Sequence, residues 1–272
     1  MSAERKRPKL YLLDIEGTVA PLTLTTEQLF PYARKHFEVF LKEYFADFEK
    51  HRDFLKENLE GSVFWDVMML ALENRAEADP NAPRILPDFI HEPGFSGNPN
   101  AVSMSPAAAI PRILVYVYWL MDRDRKSTAL KSLQGKIWKA GFESGELKGT
   151  LFPDVPEAFR RWSAQGKVAI YSSGSVEAQQ LLFGHTIFGD LRPLISGYFD
   201  TRTGPKTESP SYAAIAKAMG VASSEAVFFS DGLKELDAAR EAGMETRLVV
   251  REGNAVVEDA RGHERVELFD GI

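Results

Sequence analysis

Two carboxylates stand directly after a short apolar run near the start of the chain. Asp14 follows the Lys-Leu-Tyr-Leu-Leu run of residues 9–13, and Glu16, Gly17 and Thr18 come next. The apolar run is typical of a strand buried on both faces, and its carboxyl end is where open α/β sheets bind ligands. An acid there is costly unless something binds it. On these residues alone, an ordinary strand-to-turn junction explains the segment equally well.

A second acid holds the corresponding position late in the chain. The apolar run of residues 225–230 ends at Asp231, and another acid, Glu235, follows four positions later. Two strands that end in Asp at one sheet edge would leave uncompensated negative charge in a confined cleft. A hard dication with oxygen ligands, such as Mg²⁺, would balance that charge. The two acids together therefore indicate a metal site.

Two further segments suit an anion. Ser172 and Ser173 follow the strand-like run of residues 167–171 and precede a predicted helix with Ser175 as its N-cap. A helix N-terminus behind hydroxyls and a glycine can bind phosphate, although an ordinary serine-rich cap fits the same residues. Lys206 lies in a loop before another predicted helix, where it is either a functional cation or a solvated surface charge.

The order and spacing of these segments resemble the four motifs of the haloacid dehalogenase superfamily. Members that hydrolyse phosphate esters usually carry Asp two residues after the nucleophile, whereas this chain has Glu16. The resulting Asp-Ile-Glu-Gly-Thr sequence is similar to the acireductone synthase, or enolase-phosphatase, family. The likeness extends to residues 28–32, 124–126, 133–135, 145–148 and 172–185, and it is poorest over residues 19–24 and 80–106.

The resemblance implies a covalent mechanism. Asp14 would attack phosphorus and form an aspartyl-phosphate, while the Glu16 carboxyl would protonate the leaving oxygen and then activate water. Mg²⁺ would be held by two carboxylates and by the backbone carbonyl of Glu16. The expected site comprises catalytic Asp14, Glu16 and Lys206, substrate-binding Ser172, Ser173 and Lys206, and metal-binding Asp14, Glu16 and Asp231.

The same resemblance implies a bifunctional reaction in methionine salvage. A small phosphorylated diketo substrate, 2,3-diketo-5-methylthiopentyl-1-phosphate, would be enolised and then dephosphorylated to acireductone. The sequence does not single out the enolisation base, for which Glu27 and the active-site acids are all candidates. A phosphatase of the same superfamily with another small substrate is the main alternative. A non-catalytic metal-binding or phospho-ligand-binding module is a third.

The elements that position these residues fall into two groups. Strand patterns at residues 9–13, 167–171, 225–230 and 246–250 alternate with helical patterns in the second half, which is typical of a parallel sheet. Residues 21–149 show only helical periodicity, with a proline-rich loop at about 80–106. The sequence therefore predicts an α/β fold. Its Rossmann-like parallel-sheet core comprises residues 1–20 and 150–272, and an all-helical cap domain is inserted at 21–149.

Composition excludes several other classes. The 272 residues are 44% hydrophobic, carry a formal net charge of −6 and contain no cysteine. The acidic balance gives no electrostatic footprint for nucleic acid or for an anionic membrane, and disulfides and Cys-bound zinc are ruled out. No secretory signal or membrane-length apolar run is visible. We therefore expect a cytoplasmic monomer with no nucleic-acid or membrane partner.

Overall fold

The computed structural model describes residues 7–46, 60–85 and 106–271. The chain divides into two compact units, one of residues 1–28 with 141–272 and the other of residues 29–140. Residues 21–28 and 141–149 thus belong to the first unit. One of the bonds within it joins Gln28 Nε2 to the carbonyl oxygen of Lys148, at 2.7 Å. The predicted proline-rich loop lies largely outside the described residues.

The first unit is built on a sheet of six parallel strands. In space their order is β3-β2-β1-β4-β5-β6, so the first strand of the chain lies between two strands from its second half. The predicted α/β fold with a parallel sheet is confirmed. The strands are β1 Leu10–Leu13, β2 Lys167–Tyr171, β3 Gly197–Phe199, β4 Ala226–Ser230, β5 Glu245–Val249 and β6 Glu264–Val266.

The described residues form eight α-helices. They are α1 Phe30–Ala46, α2 Val63–Ala76, α3 Pro106–Asp122, α4 Thr128–Ser144, α5 Val155–Gln165, α6 Val176–Gly184, α7 Ser209–Ala218 and α8 Leu233–Glu241. A π-helical segment, Leu24–Leu29, precedes α1. None of the helices in the described part of the chain has both the length and the apolar character needed to cross a membrane.

Helices cover both faces of the sheet. On one face, the ring of Trp162 from α5 stacks on Tyr11 and on Phe229, with centroid distances of 4.9 and 5.2 Å. On the other face, Tyr212 of α7 packs edge-on against Phe228. All four residues of β1 are buried, as expected for a strand covered on both sides. This packing fixes the strand ends that carry the candidate site.

The described residues of the second unit form helices joined by turns and loops, with no strand among them. A hydrophobic core is shared by α1, α2, α3 and α4, and its fully buried members include Phe37, Leu41, Val67, Ile113 and Leu133. Helix α3 begins at Pro106 and contains a second proline, Pro111. The alanines of residues 107–109 favour helix, and a proline this close to the N-terminus removes only one intrahelical hydrogen bond.

Candidate functional site

Three of the predicted site segments meet at one edge of the sheet. Asp14, Ser172 and Asp231 directly follow β1, β2 and β4, which are neighbours in the sheet. The register aligns Leu13 with Ile170 on one side and with Phe229 on the other. Because all three strands are parallel, their carboxyl ends lie at the same edge. The strand-end acids are therefore neighbours in space although they are far apart in the sequence.

Lys206 lies between two carboxylates of this edge. Its Nζ is 2.6 Å from Oδ1 of Asp14 and 2.7 Å from Oε2 of Glu235, and its side chain is only 10% exposed. Burial alone would lower the pKa of Lys206, but the charges and hydrogen bonds of the two acids raise it overall. Lys206 is therefore a fixed positive charge against Asp14 and not a solvated surface lysine.

The loop that carries Lys206 is held by three hydroxyl groups. Tyr171, Ser211 and Tyr212 donate in turn to the backbone carbonyls of residues 204, 205 and 206, over distances of 2.8, 2.8 and 2.7 Å. Two of these residues belong to α7, and Tyr171 ends β2. Three consecutive carbonyls bound by buried groups leave the loop little freedom. None of these three contacts was predicted from the sequence.

Gly17 brings the first acidic turn against Asp231. Its φ is +73°, in the left-handed region that favours glycine. A Cβ atom at this position would lie 2.5 Å from Oδ2 of Asp231, which no real contact allows. Gly17 therefore permits both the turn after β1 and the close approach of the Asp231 carboxyl group to that turn.

The acidic side chains of the site carry more negative charge than the single positive charge of Lys206 can neutralise. Burial, followed by the nearby charges of Asp14 and Glu235, raises the pKa of Asp231 to about 6. Burial and the charge of Asp14 also raise the pKa of Glu235. Among the described residues, no basic side chain forms an ion pair with Asp231. Three carboxyl groups thus face a single ammonium group.

The raised pKa of Asp231 predicts how the stability of the metal-free protein depends on pH. The folded chain keeps this proton up to about pH 6, whereas the unfolded chain releases it near the ordinary value of 3.8. Since the unfolded state binds fewer protons in this window, the free energy of unfolding falls as pH rises from about 4 to about 6. Asp231→Asn removes the titrating group and should reduce the fall. Urea unfolding in chelator from pH 4 to 7 would measure it, and equal slopes in the two proteins would contradict the assignment.

Glu16 is half-buried, and its side chain forms a hydrogen bond with the π-helical segment Leu24–Leu29. Its Oε1 accepts a hydrogen bond from the backbone N–H of Thr25 at 3.3 Å, at the start of the π-helical segment. The side chain that we expect to act as acid and base is thereby oriented by backbone. Glu27, which we considered as an enolisation base, lies exposed in the same segment.

The serine segment after β2 forms a tight turn before α6. Ser172 is buried, and its Oγ accepts a hydrogen bond from the N–H of Gly174 at 3.2 Å, while Ser173 is exposed. Ser175 caps α6 as predicted, since its Oγ accepts from the N–H of Ala178 at 3.2 Å. The turn therefore presents an exposed hydroxyl near a helix N-terminus, an arrangement suited to an anion.

Two residues after β5 donate hydrogen bonds to the backbone of the first acidic turn. Arg251 Nε donates to the carbonyl of Thr18 at 3.2 Å, and Asn254 Nδ2 donates to the carbonyl of Gly17 at 2.9 Å. The Arg251 side chain is nearly fully buried and forms an ion pair with Asp154 at 2.9 Å. We did not identify either residue from the sequence, because a polar residue in a loop is common and nothing in its spacing connects it to Asp14.

The residues of this edge fit a divalent cation. Asp231 is a desolvated carboxyl group with a raised pKa, and Asp14 contributes a second carboxylate to the same small volume. No group of three or more His, Asp or Glu side chains in a ligand-like arrangement occurs within the described residues. Two carboxylates with a backbone carbonyl would be a partial oxygen set, which suits Mg²⁺ because it usually keeps several water ligands.

Comparison with known proteins identifies the family of this chain. A model of haloacid dehalogenase-like hydrolases matches residues 8–243. Enolase-phosphatase E1 of Synechococcus elongatus is 48% identical over 91% of this chain and 90% of its own length, and the Salmo salar protein of that name is 41% identical over 93% and 89%. The crystal structure of the Saccharomyces cerevisiae UTR4 protein aligns with a TM-score of 0.65 at 32% identity, over 98% of this chain and 100% of that one.

These relatives match the chain over nearly its whole length, so the likeness is not confined to one motif or to one of the two units. The predicted family is thereby confirmed. The chain belongs to the enolase-phosphatase family of the haloacid dehalogenase-like hydrolases.

Proposed function

We propose that this enzyme converts 2,3-diketo-5-methylthiopentyl-1-phosphate, through its enol phosphate, to acireductone and phosphate. The observation that carries the proposal is the contact of Lys206 Nζ with Asp14 Oδ1 at 2.6 Å, at the edge where Asp231 also lies. This contact puts a buried positive charge beside a carboxylate that can act as a nucleophile. The relatives named enolase-phosphatase E1 support the same activity.

The roles of the side chains follow from their contacts. Lys206 engages Oδ1 of Asp14, and within the described residues Oδ2 has no hydrogen-bond partner, which leaves that oxygen for attack on phosphorus. The Asp14–phosphorus bond would form as the bond to the leaving oxygen breaks, and the Glu16 carboxyl would give that oxygen its proton. Glu16 would then take a proton from water as the water opens the aspartyl-phosphate.

Charge on the transferring phosphoryl group would be offset from two sides. Lys206 and the exposed hydroxyl of Ser173 would bind its oxygens, with the turn of Ser172 supporting that contact. Asp14, Asp231 and the backbone carbonyl of Glu16 would hold Mg²⁺. When bound, the ion would supply further positive charge to the phosphoryl oxygens and, as a Lewis acid, to an enolate. We also expect the enzyme to act as a cytoplasmic monomer on this small substrate.

Deuterium exchange tests the proposed reaction. The diketo phosphate is incubated with enzyme and Mg²⁺ in deuterated buffer without oxygen, and enol absorbance, free phosphate and deuterium on carbon are followed together. We expect enol absorbance before phosphate is released, because enolisation precedes hydrolysis, and deuterium on the carbon of those substrate molecules whose enol is reprotonated before it is hydrolysed. A saturated phosphate monoester of similar length serves as the control substrate. Phosphate release from the diketo phosphate with neither enol absorbance nor exchange would show hydrolysis without enolisation and would refute the bifunctional reaction.

A further inference from the structure

The loop after β5 contains a side chain whose two ends make unequal contacts. Asn254 Nδ2 donates to the carbonyl of Gly17 at 2.9 Å and to the carbonyl of Val249 at 3.3 Å. The amide nitrogen therefore ties the first acidic turn to the end of β5. These two hydrogen bonds explain the role of the amide nitrogen.

The amide oxygen of Asn254 is different. It is buried, and among the described residues it has no hydrogen-bond partner. A buried polar atom is normally paired, because an unpaired one loses its bond to water without replacement. The oxygen therefore calls for a donor that the polypeptide itself does not supply.

The position of this oxygen indicates which donor would fit. A Cβ atom on Gly17 would lie 3.1 Å from Oδ1 of Asn254 and 2.5 Å from Oδ2 of Asp231. The two oxygens thus face the same small volume beside Gly17. Asp231 is the residue whose half-buried carboxyl group fits a divalent cation, and Mg²⁺ usually keeps several of its waters when bound to protein.

We propose that Asn254 is a positioning residue of the metal site, whose Oδ1 accepts a hydrogen bond from a water molecule bound to the divalent cation. Its Nδ2 holds the carbonyl of Gly17, so one side chain aligns both the acidic turn and the hydration shell of the ion. The inference rests on the proposed metal site of Asp14, Glu16 and Asp231. Groups that orient metal ligands in this way commonly change metal affinity by 10–100-fold when they are removed.

Two substitutions separate the oxygen from the nitrogen. Asn254→Ala removes both, whereas Asn254→Asp keeps an oxygen at Oδ1 and loses the donor to Gly17. If the oxygen acts on the hydration shell, the alanine variant binds the cation more weakly, and the aspartate variant binds it at least as tightly as the parent. Both variants should have a lower kcat, because both lose the bond to Gly17. If Asn254 had only a structural role, the two variants would not differ in metal affinity.

The experiment measures Mn²⁺ binding without substrate. Free Mn²⁺ is followed by electron paramagnetic resonance as it is titrated into the chelator-treated full-length protein. We expect the Kd of Asn254→Ala to rise about tenfold and that of Asn254→Asp not to rise. Val256→Ala is the matched control, since Val256 is 93% exposed in the same loop and should leave the Kd unchanged. Asn254→Ser is measured in parallel, with the expectation for Asn254→Ala, in case the alanine variant does not fold.

The outcomes distinguish this inference from the proposed function. Absence of Mn²⁺ binding by the parent protein, or binding that survives in Asp231→Asn, would overturn the metal site and the inference with it. Normal binding by the parent, with a Kd for the alanine and serine variants within twofold of it, would overturn the inference alone. Tighter Mn²⁺ binding by Asn254→Ala than by the parent would also overturn the inference. It would mean that Oδ1 of Asn254 accepts a hydrogen bond from a protonated Asp231 in the parent protein and so competes with the ion.

Discussion

Replacement of Asp14 by Asn abolishes phosphate release in the proposed mechanism and leaves the fold intact. We expect kcat to fall by at least about 10⁴-fold, because the amide cannot form the covalent bond to phosphorus on which both displacements depend. Asn has nearly the same shape as Asp, and Lys206 keeps its contact of 2.7 Å with Glu235. Phosphate release under saturating substrate and Mg²⁺ gives the rate, and circular dichroism tests the fold.

The control for this substitution is Asp259→Asn, which makes the same chemical change at an exposed position of the first unit. It should retain the activity of the parent enzyme. Trapping and mass analysis of a phosphorylated protein should detect the aspartyl-phosphate in the parent and in the control, but not in Asp14→Asn. Undiminished activity of Asp14→Asn would refute covalent catalysis.

Replacement of Arg251 by Ala is expected to destabilise the first unit by about 3–5 kcal/mol, because it leaves a buried Asp154 without its cation. The side chains of the pair are only 4% and 7% exposed. The guanidinium also lies between the rings of Phe152 and Phe269, at 4.6 and 4.5 Å from their centroids, and it binds the carbonyl of Thr18. Urea unfolding at neutral pH measures the loss.

A surface ion pair provides the control for this prediction. Arg160 lies 3.2 Å from Glu157, with side chains that are 56% and 61% exposed, and Arg160→Ala should cost less than about 1 kcal/mol. In a double-mutant cycle, Asp154→Asn should be less destabilising when Arg251 is already Ala than when it is Arg. Equal effects of Arg251→Ala and Arg160→Ala would show that the buried pair contributes no more than a surface contact.

The sequence predicted the parts of the fold that repeat a strong pattern. Strands β1, β2 and β4 are apolar runs followed directly by Asp14, Ser172 and Asp231, so their pairing and common edge follow from the packing rules of parallel sheets. Two other strands, β3 and β6, were missed. Each has three residues and lies at a sheet edge, where few apolar side chains are needed and periodicity over three positions is not recognisable.

The candidate site was predictable only where its residues follow strand ends or a familiar motif. Glu235 was noticed as an acid four positions after Asp231, but its contact with Lys206 depends on how α8 begins, and a sequence does not specify that geometry. Arg251 and Asn254 lie more than 200 residues after the turn that they hold. Contacts of this kind arise from tertiary packing, which local propensity does not encode.

The central position of β1 has a consequence for how the enzyme is made. Its neighbours β2 and β4 begin at Lys167 and Ala226, so the first strand emerges from the ribosome well before either flanking strand exists. Non-local pairing of this kind has a high contact order and slows folding. No N-terminal fragment that ends before Lys206 can contain both Asp14 and its cation. A message with a stop codon before the codon for Lys206 should therefore yield no phosphatase.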